Sequence, residues 1–210
     1  MQPKFSTQEI VSVILHAIES SKKEYEKWNE DILRSTPEYF VTVNIAKELM
    51  SNVFSKDGSS VTFEWNIGDT IKAAPGRPFN HYKPNGRFDL AVWNSNGCAW
   101  GFIEIKRSTG SNVKYEKDIK RIRAALLTDT SSHLKAGFFA SYIERDDTGS
   151  KSAEEKVTEF IDKMENERIP KAMNGTLKWE MKRGKLIRYN TGHKDVDSYA
   201  FQPICVVVKK

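Results

Sequence analysis

The chain has 210 residues, 39% hydrophobic and 29% charged, with a formal net charge of +5 and a sequence pI near 9.0. That is enough chain for one domain with elaborations and a buried core. It excludes a membrane-spanning run, shows no secretory pattern at its start, and places neither its four histidines nor its two cysteines at zinc-binding spacings. The mild basic excess suits a protein that meets phosphates without requiring one. Cys98 and Cys205 fall in expected strands, as reduced, partly buried thiols of a cytoplasmic protein.

The first expected element is a helix from about Ser6 to Trp28, capped at Ser6 or Thr7 and packed through Val11, Ile14, Leu15, Ile18 and Tyr25. Pro37 interrupts before a second helix, where Val41, Ile45, Leu49 and Val53 recur at helical spacing with Ala46 and Met50 beside them. Glu48 falls on the edge of that stripe, and Lys47 points away from it. From Val61, VTFEWNIG alternates as a strand. The loop from Lys72 to Arg87 interleaves Arg77, Lys83 and Arg87 with Phe79, His81 and Tyr82 among three prolines. Such a loop either grips a nucleic-acid backbone and stacks on bases or is an ordered proline-rich connection.

The clearest chemistry lies between Gly86 and Arg107. Asn96-Gly97 predicts a two-residue type I′ turn, because both of its central positions need positive φ. In that register Trp93 faces Trp100, Ala91 faces Phe102 and Asp89 faces Glu104, while Glu104 and Lys106 share the face that Asp89 joins. Phe88, Leu90, Val92, Ile103 and Ile105 make an apolar opposite face. Two opposed carboxylates repel unless a cation lies between them or one is protonated. A hard divalent ion such as Mg²⁺ fits two carboxylates, and Lys106 is near enough to orient a water or offset charge. The alternative is an amphipathic hairpin with incidental charges, and a slip of one residue would turn the acids to the other face.

The segment KYEKDIKRIRAALL is a basic helix with Ile119, Ile122 and Leu126 as its stripe, and AGFFASYIE from Ala136 is an apolar strand. Strand, helix, strand in that order predicts a crossover and a parallel pair in a mixed sheet. A further helix is expected to end just before Pro170. The remainder reads as a hairpin turning at Arg183-Gly184 and a final strand, whose Pro203 suggests an edge or a bulge. These last elements could extend the sheet, cover its edge or contact phosphates.

In Asp89, Glu104 and Lys106 the chain resembles the PD-(D/E)XK nuclease superfamily, whose signature is an acid on one strand, a variable gap, then acid-x-Lys on the next. Phe88 stands where the nominal pattern has proline, and Gly86-Arg87 ahead of Asp89 is similar to a form common among members. The resemblance covers about residues 41–143. It implies an α/β restriction-endonuclease-like fold, a central mixed sheet flanked by helices. The whole chain, 1–210, would be one domain, with the N-terminal helix 6–28 and a C-terminal extension over 150–210 that adds a β hairpin and a strand. It implies metal-dependent hydrolysis of phosphodiester bonds, in DNA foremost, with Asp89, Glu104 and the backbone carbonyl of Ile105 holding Mg²⁺ and Mn²⁺ able to substitute. Glu48 would serve a second ion or a metal-bound water, and Lys106 would position the nucleophile. Arg77, His81, Tyr82, Lys83 and Arg87 of the loop, with Lys117 and Arg121 of the basic helix, would hold the nucleic acid. A homodimer would suit cutting both strands of a duplex. A non-hydrolytic nucleic-acid-binding or regulatory module on the same fold is the alternative, as is a nuclease subunit active only in a larger complex.

Overall fold

The structure is a computed structural model that describes residues 5–29, 37–72, 86–107, 113–127, 134–147, 149–175, 177–193 and 196–210. Its elements run α1 (Thr7–Asn29), α2 (Glu38–Asn52), β1 (Ser60–Asn66), α3 (Ile67–Lys72), β2 (Arg87–Trp93), β3 (Ala99–Lys106), α4 (Val113–Leu126) and β4 (Ala136–Asp146). There follow α5 (Ala153–Lys163), α6 (Ile169–Met173), β5 (Lys178–Arg183), β6 (Ile187–His193) and β7 (Val196–Lys209). Seven strands form one mixed sheet in the order β1-β2-β3-β4-β7-β5, with β6 also paired to β7. Among the described strand pairs, β3 and β4 alone run parallel, joined across α4 as the strand–helix–strand order predicts.

Helices cover both faces. On one, α1 and α2 bury Ile10, Ile14, Ile45 and Leu49 against Leu90, Ile103, Ile105 and Phe138. On the other, α4, α5 and α6 bury Ile119, Ile122, Val157 and Ile169 against Phe102, Phe139, Ile143 and Val206. The central strand β4 is buried from Ala136 to Glu144, which is why its sequence is apolar almost without alternation. Helix α1 opens on a reciprocal cap: Ser6 Oγ accepts from the Glu9 N–H at 3.2 Å, and Glu9 Oε2 accepts from the Ser6 N–H at 2.7 Å. No helix among the described residues is long and apolar enough to cross a membrane.

Several local expectations give way to stronger constraints. The strand from Val61 stops at Asn66, and Ile67 already begins α3. Phe88 does not join Leu90 and Val92 but stacks on Phe102, 3.8 Å between centroids, in the second core. The helix expected to stop before Pro170 continues through it, because a π-helical turn over Met164–Arg168 intervenes and Pro170 falls in the first turn of α6, where no N–H is needed. Strands β5 and β6 do not form a hairpin with each other. Both lie on the same side of β7, β5 along Ile204–Lys209 and β6 along Val196–Phe201. The hand-over falls at Gln202 and Pro203, where proline has no N–H to offer a neighbour. The Gly184 N–H donates to the Pro203 carbonyl at 2.8 Å, and Gln202 Nε2 to the Gly184 carbonyl at 2.9 Å. Pro203 is therefore neither on an outer edge nor in a bulge; it marks the gap between two strands that share one neighbour.

The β2–β3 turn also differs. The Asn94 carbonyl accepts from the Gly97 N–H and the Asn94 N–H donates to Cys98, both at 2.9 Å. Gly97 has φ +78°, and Asn96 is not left-handed. This is a three-residue loop, Ser95-Asn96-Gly97, rather than a type I′ pair. It pairs Trp93 with Ala99 instead of Trp100, and a bulge between Val92 and Trp93 then restores the register, so Ala91 pairs with Phe102 and Leu90 with Ile103.

Candidate active site

The start of β2, the end of β3, the first residue of α2 and the middle of α4 meet at one end of the sheet. The β2–β3 pairing ends at Leu90 and Ile103, one residue short of Asp89 and Glu104. Beyond it the Ile105 N–H donates not to a carbonyl of β2 but to Asp89 Oδ2, at 2.6 Å. Lys106 turns toward α2, where its Nζ donates to Glu38 Oε1 at 3.0 Å, and Glu38 Oε2 accepts from the Arg107 N–H at 3.1 Å. Glu104, fully buried, reaches α4 instead: its Oε2 lies 2.5 Å from Arg121 Nη2, which is also 3.0 Å from Asp118 Oδ1. The approach to Arg121 is close but poorly directed, since neither Glu104 oxygen accepts an aligned hydrogen bond, and Asp118 Oδ2 is likewise buried without one.

Four acids, Glu38, Asp89, Glu104 and Asp118, thus face two cations, Lys106 and Arg121. Burial pushes the Glu104 carboxyl up to about 8, with Arg121 pulling it back and Asp89 adding to the rise. Burial also raises Asp89, against the Ile105 N–H and Lys106, and raises Asp118, against Lys106 and Arg121. For Lys106, burial alone would lower the amine. The bond to Glu38 and the charges of Asp89 and Asp118 outweigh it and hold the amine above its ordinary value. The cluster as a whole calls for additional positive charge, the condition in which perturbed groups gather at functional sites.

No protein-family model, curated protein or solved structure matches this chain.

Of the residues singled out from sequence, Asp89, Glu104, Lys106 and Arg121 lie at the same end of the sheet, with Ile105 buried between them. The expected shared face is not kept: Lys106 bonds Glu38 of α2 and Glu104 pairs with Arg121 of α4, on opposite faces. Glu48 does not join them. It accepts from Asn52 Nδ2 at 2.6 Å and lies ten residues, about 15 Å, along α2 from Glu38. The α2 acid that reaches the site is Glu38. Arg87 is exposed and pairs with Glu64 at 3.1 Å on the outer strand β1, and Lys117 is exposed on α4. Arg77, His81, Tyr82 and Lys83 lie outside the described residues. Glu38 and Asp118 escaped the sequence reading. Asp118 had a signal, three residues before Arg121 on one helical face; Glu38 had only its place directly after Pro37.

Among the described residues, no group of three His, Cys, Asp or Glu is placed to hold a metal ion. Mg²⁺ asks for less, since it is commonly held by one or two carboxylates, with waters and substrate phosphates completing the shell. Asp89 and Glu104 supply hard oxygen donors of that kind. The two buried Glu104 oxygens without aligned donors are the atoms a cation would satisfy, and Arg121 is the charge that balances them here.

Proposed function

We propose that the chain is a metal-dependent nuclease that hydrolyses phosphodiester bonds, in DNA foremost. The observation that carries this is that Asp89, Glu104 and Lys106, from two adjacent antiparallel strands, lie within electrostatic reach of one another in a part-buried acid-rich cluster at one end of the sheet. The PD-(D/E)XK resemblance supports it, as does a mixed sheet flanked by helices. Asp89 and Glu104, with the carbonyl of Ile105, would hold Mg²⁺, and Mn²⁺ would substitute. Bound there, the ion supplies positive charge at the scissile phosphate and a water acidic enough to give up a proton near neutral pH. Lys106, fixed by Glu38, would orient the attacking water and offset the charge that develops on the phosphate oxygens. A cytoplasmic setting suits the free thiols Cys98 and Cys205.

The test is incubation of plasmid and single-stranded DNA with the protein and Mg²⁺ or Mn²⁺, with EDTA as control. Asp89→Ala, Glu104→Gln and Lys106→Ala should each abolish cleavage with the circular dichroism spectrum unchanged. Full activity in any of the three removes the mechanism. One feature favours a second reading, a binding module without hydrolysis: Arg121 already sits 2.5 Å from Glu104, an internal cation in place of a metal. DNA bound but never nicked in either metal would select it.

A further inference from the structure

Beside the acid cluster the surface changes character. Five large hydrophobic side chains are conspicuously exposed among the described residues: Trp28 at 63%, Tyr39 at 57%, Phe63 at 41%, Met50 at 40% and Trp65 at 39%. Four of the five are aromatic, and three of these, Tyr39, Phe63 and Trp65, form a belt along one open cavity. Trp28 packs edge-on against Phe40, centroids 5.5 Å apart; the next residue back, Tyr39, meets Phe63 at 6.1 Å; and Trp65 meets Trp93 at 5.3 Å. The belt, with Arg87 beside it in the same cavity, adjoins the cluster along the chain at two points. Tyr39 directly follows Glu38, the partner of Lys106, and Arg87 lies two residues before Asp89.

The backbone is unusual at the same place. Phe63 pairs with Leu90 and Trp65 with Phe88, so Glu64 stands across from Asp89 without a paired position. Its φ is +46°, a left-handed conformation that a non-glycine residue adopts at a cost and that gathers at functional sites. Among the described residues, β1 is the outermost strand at its end of the sheet. Tyr39, Phe63, Trp65, Asn66, Asp69 and Arg87 line an open cavity of about 600 Å³ there.

We propose that this aromatic belt is a stacking platform for unpaired nucleobases, and that the substrate class of the neighbouring site is single-stranded nucleic acid. Exposed rings stack on any base whose face is free, whereas a duplex hides base faces within its own stack. The polar lining fits bases better than backbone. Asp69 would repel phosphate, Glu64 is already paired with Arg87 at 3.1 Å, and carboxylates of this kind bond the donor edges that an unpaired base presents. Arg87 supplies a guanidinium plane at the wall nearest Asp89. The proposal rests on the nuclease reading only for where the scissile phosphate lies; the stacking itself needs no metal.

Binding is therefore measured in EDTA, by fluorescence anisotropy, with a labelled oligothymidylate, an oligouridylate of equal length and a duplex of mixed sequence. The single strands should bind more tightly than the duplex and quench intrinsic tryptophan fluorescence, and the ratio of the two single-stranded arms separates DNA from RNA. Trp65→Ala and Tyr39→Ala should each weaken single-strand binding by about tenfold, while Trp65→Phe, which keeps a ring, retains most of it. Tyr39 is exposed, so its variant stays informative if removal of Trp65 disturbs Trp93. A duplex that binds as tightly as the single strands overturns the proposal, as does unchanged affinity in folded Tyr39→Ala. Single-strand binding without cleavage in any metal leaves the platform standing and removes the nuclease. Cleavage that is indifferent to both aromatic variants does the reverse.

Discussion

Replacing Glu104 with glutamine in the metal-free protein should separate stability from chemistry. The parent carboxyl is fully buried, lacks an aligned hydrogen bond, and is raised by burial from 4.5 to about 8. An acid raised on folding destabilises the folded chain above its unfolded value, and the effect levels off above its folded value. The penalty is thus absent well below pH 4.5, grows through pH 7 and saturates above about 8. At about 1.4 kcal/mol per pH unit, the roughly 2.5 units between 4.5 and 7 amount to about 3 kcal/mol. The pull of Arg121 is already contained in the value of about 8; what offsets part of the gain is the burial of a glutamine amide without aligned partners, while Asp118 still holds Arg121 at 3.0 Å. Glu104→Gln should therefore be more stable than the parent by about 2 kcal/mol at pH 7. The two should converge near pH 4.5. Urea unfolding in EDTA at both pH values, followed by tryptophan fluorescence, measures the difference. A variant less stable than the parent at pH 7, or a gap that does not change with pH, would mean that the Arg121 pair outweighs burial and that the electrostatic account of the site is wrong.

Three further outcomes are expected. Glu38→Gln keeps a bond to Lys106 but removes its counter-charge, so cleavage should fall by about tenfold or more while the thermal midpoint stays near that of the parent; unchanged turnover would remove Glu38 from the site. In Gly101→Ala the new methyl would lie 2.5 Å from the Ala136 carbonyl oxygen in the β3–β4 ladder, so a loss of about 2 kcal/mol should appear in denaturant unfolding. The Asp147 carboxyl is held below its ordinary 3.8 by bonds from Ser198 and the Ala153 N–H, with Arg188 adding to them. Its contribution is present above pH 3.8 and is lost as pH falls through the lower folded value, so Asp147→Asn should flatten the acid limb of a stability profile below about pH 4.

The neighbourhood of Asp89 was legible from sequence because strand alternation and a short loop constrain it locally. Ala91 pairs with Phe102 as expected even though both the loop length and the bulge were missed, because one added residue compensates the other. Glu38 could not be found the same way: its bond to Lys106 spans 68 residues and depends on how α2 docks on the sheet, which no periodicity encodes. The Arg183-Gly184 signal reads as a hairpin because a turn next to two polar-apolar strands satisfies local rules. What it could not reveal is that β7 offers its whole length as a partner, so two strands pair end to end along it rather than with each other. The helix through Pro170 was hidden for the opposite reason: the local rule against proline is sound, and a widened turn just upstream circumvents it.

The position of β7 has a consequence for biosynthesis. It lies between β4 on one side and β5 and β6 on the other, yet it leaves the ribosome after all three. Until it arrives, β4, buried from Ala136 to Glu144 in the finished sheet, has an open flank, and β5 and β6 have nothing to pair with among the described strands. The nascent chain should consequently carry an unfinished, adhesive half-sheet until β7 is made, and β7 then locks all three neighbours in a single step.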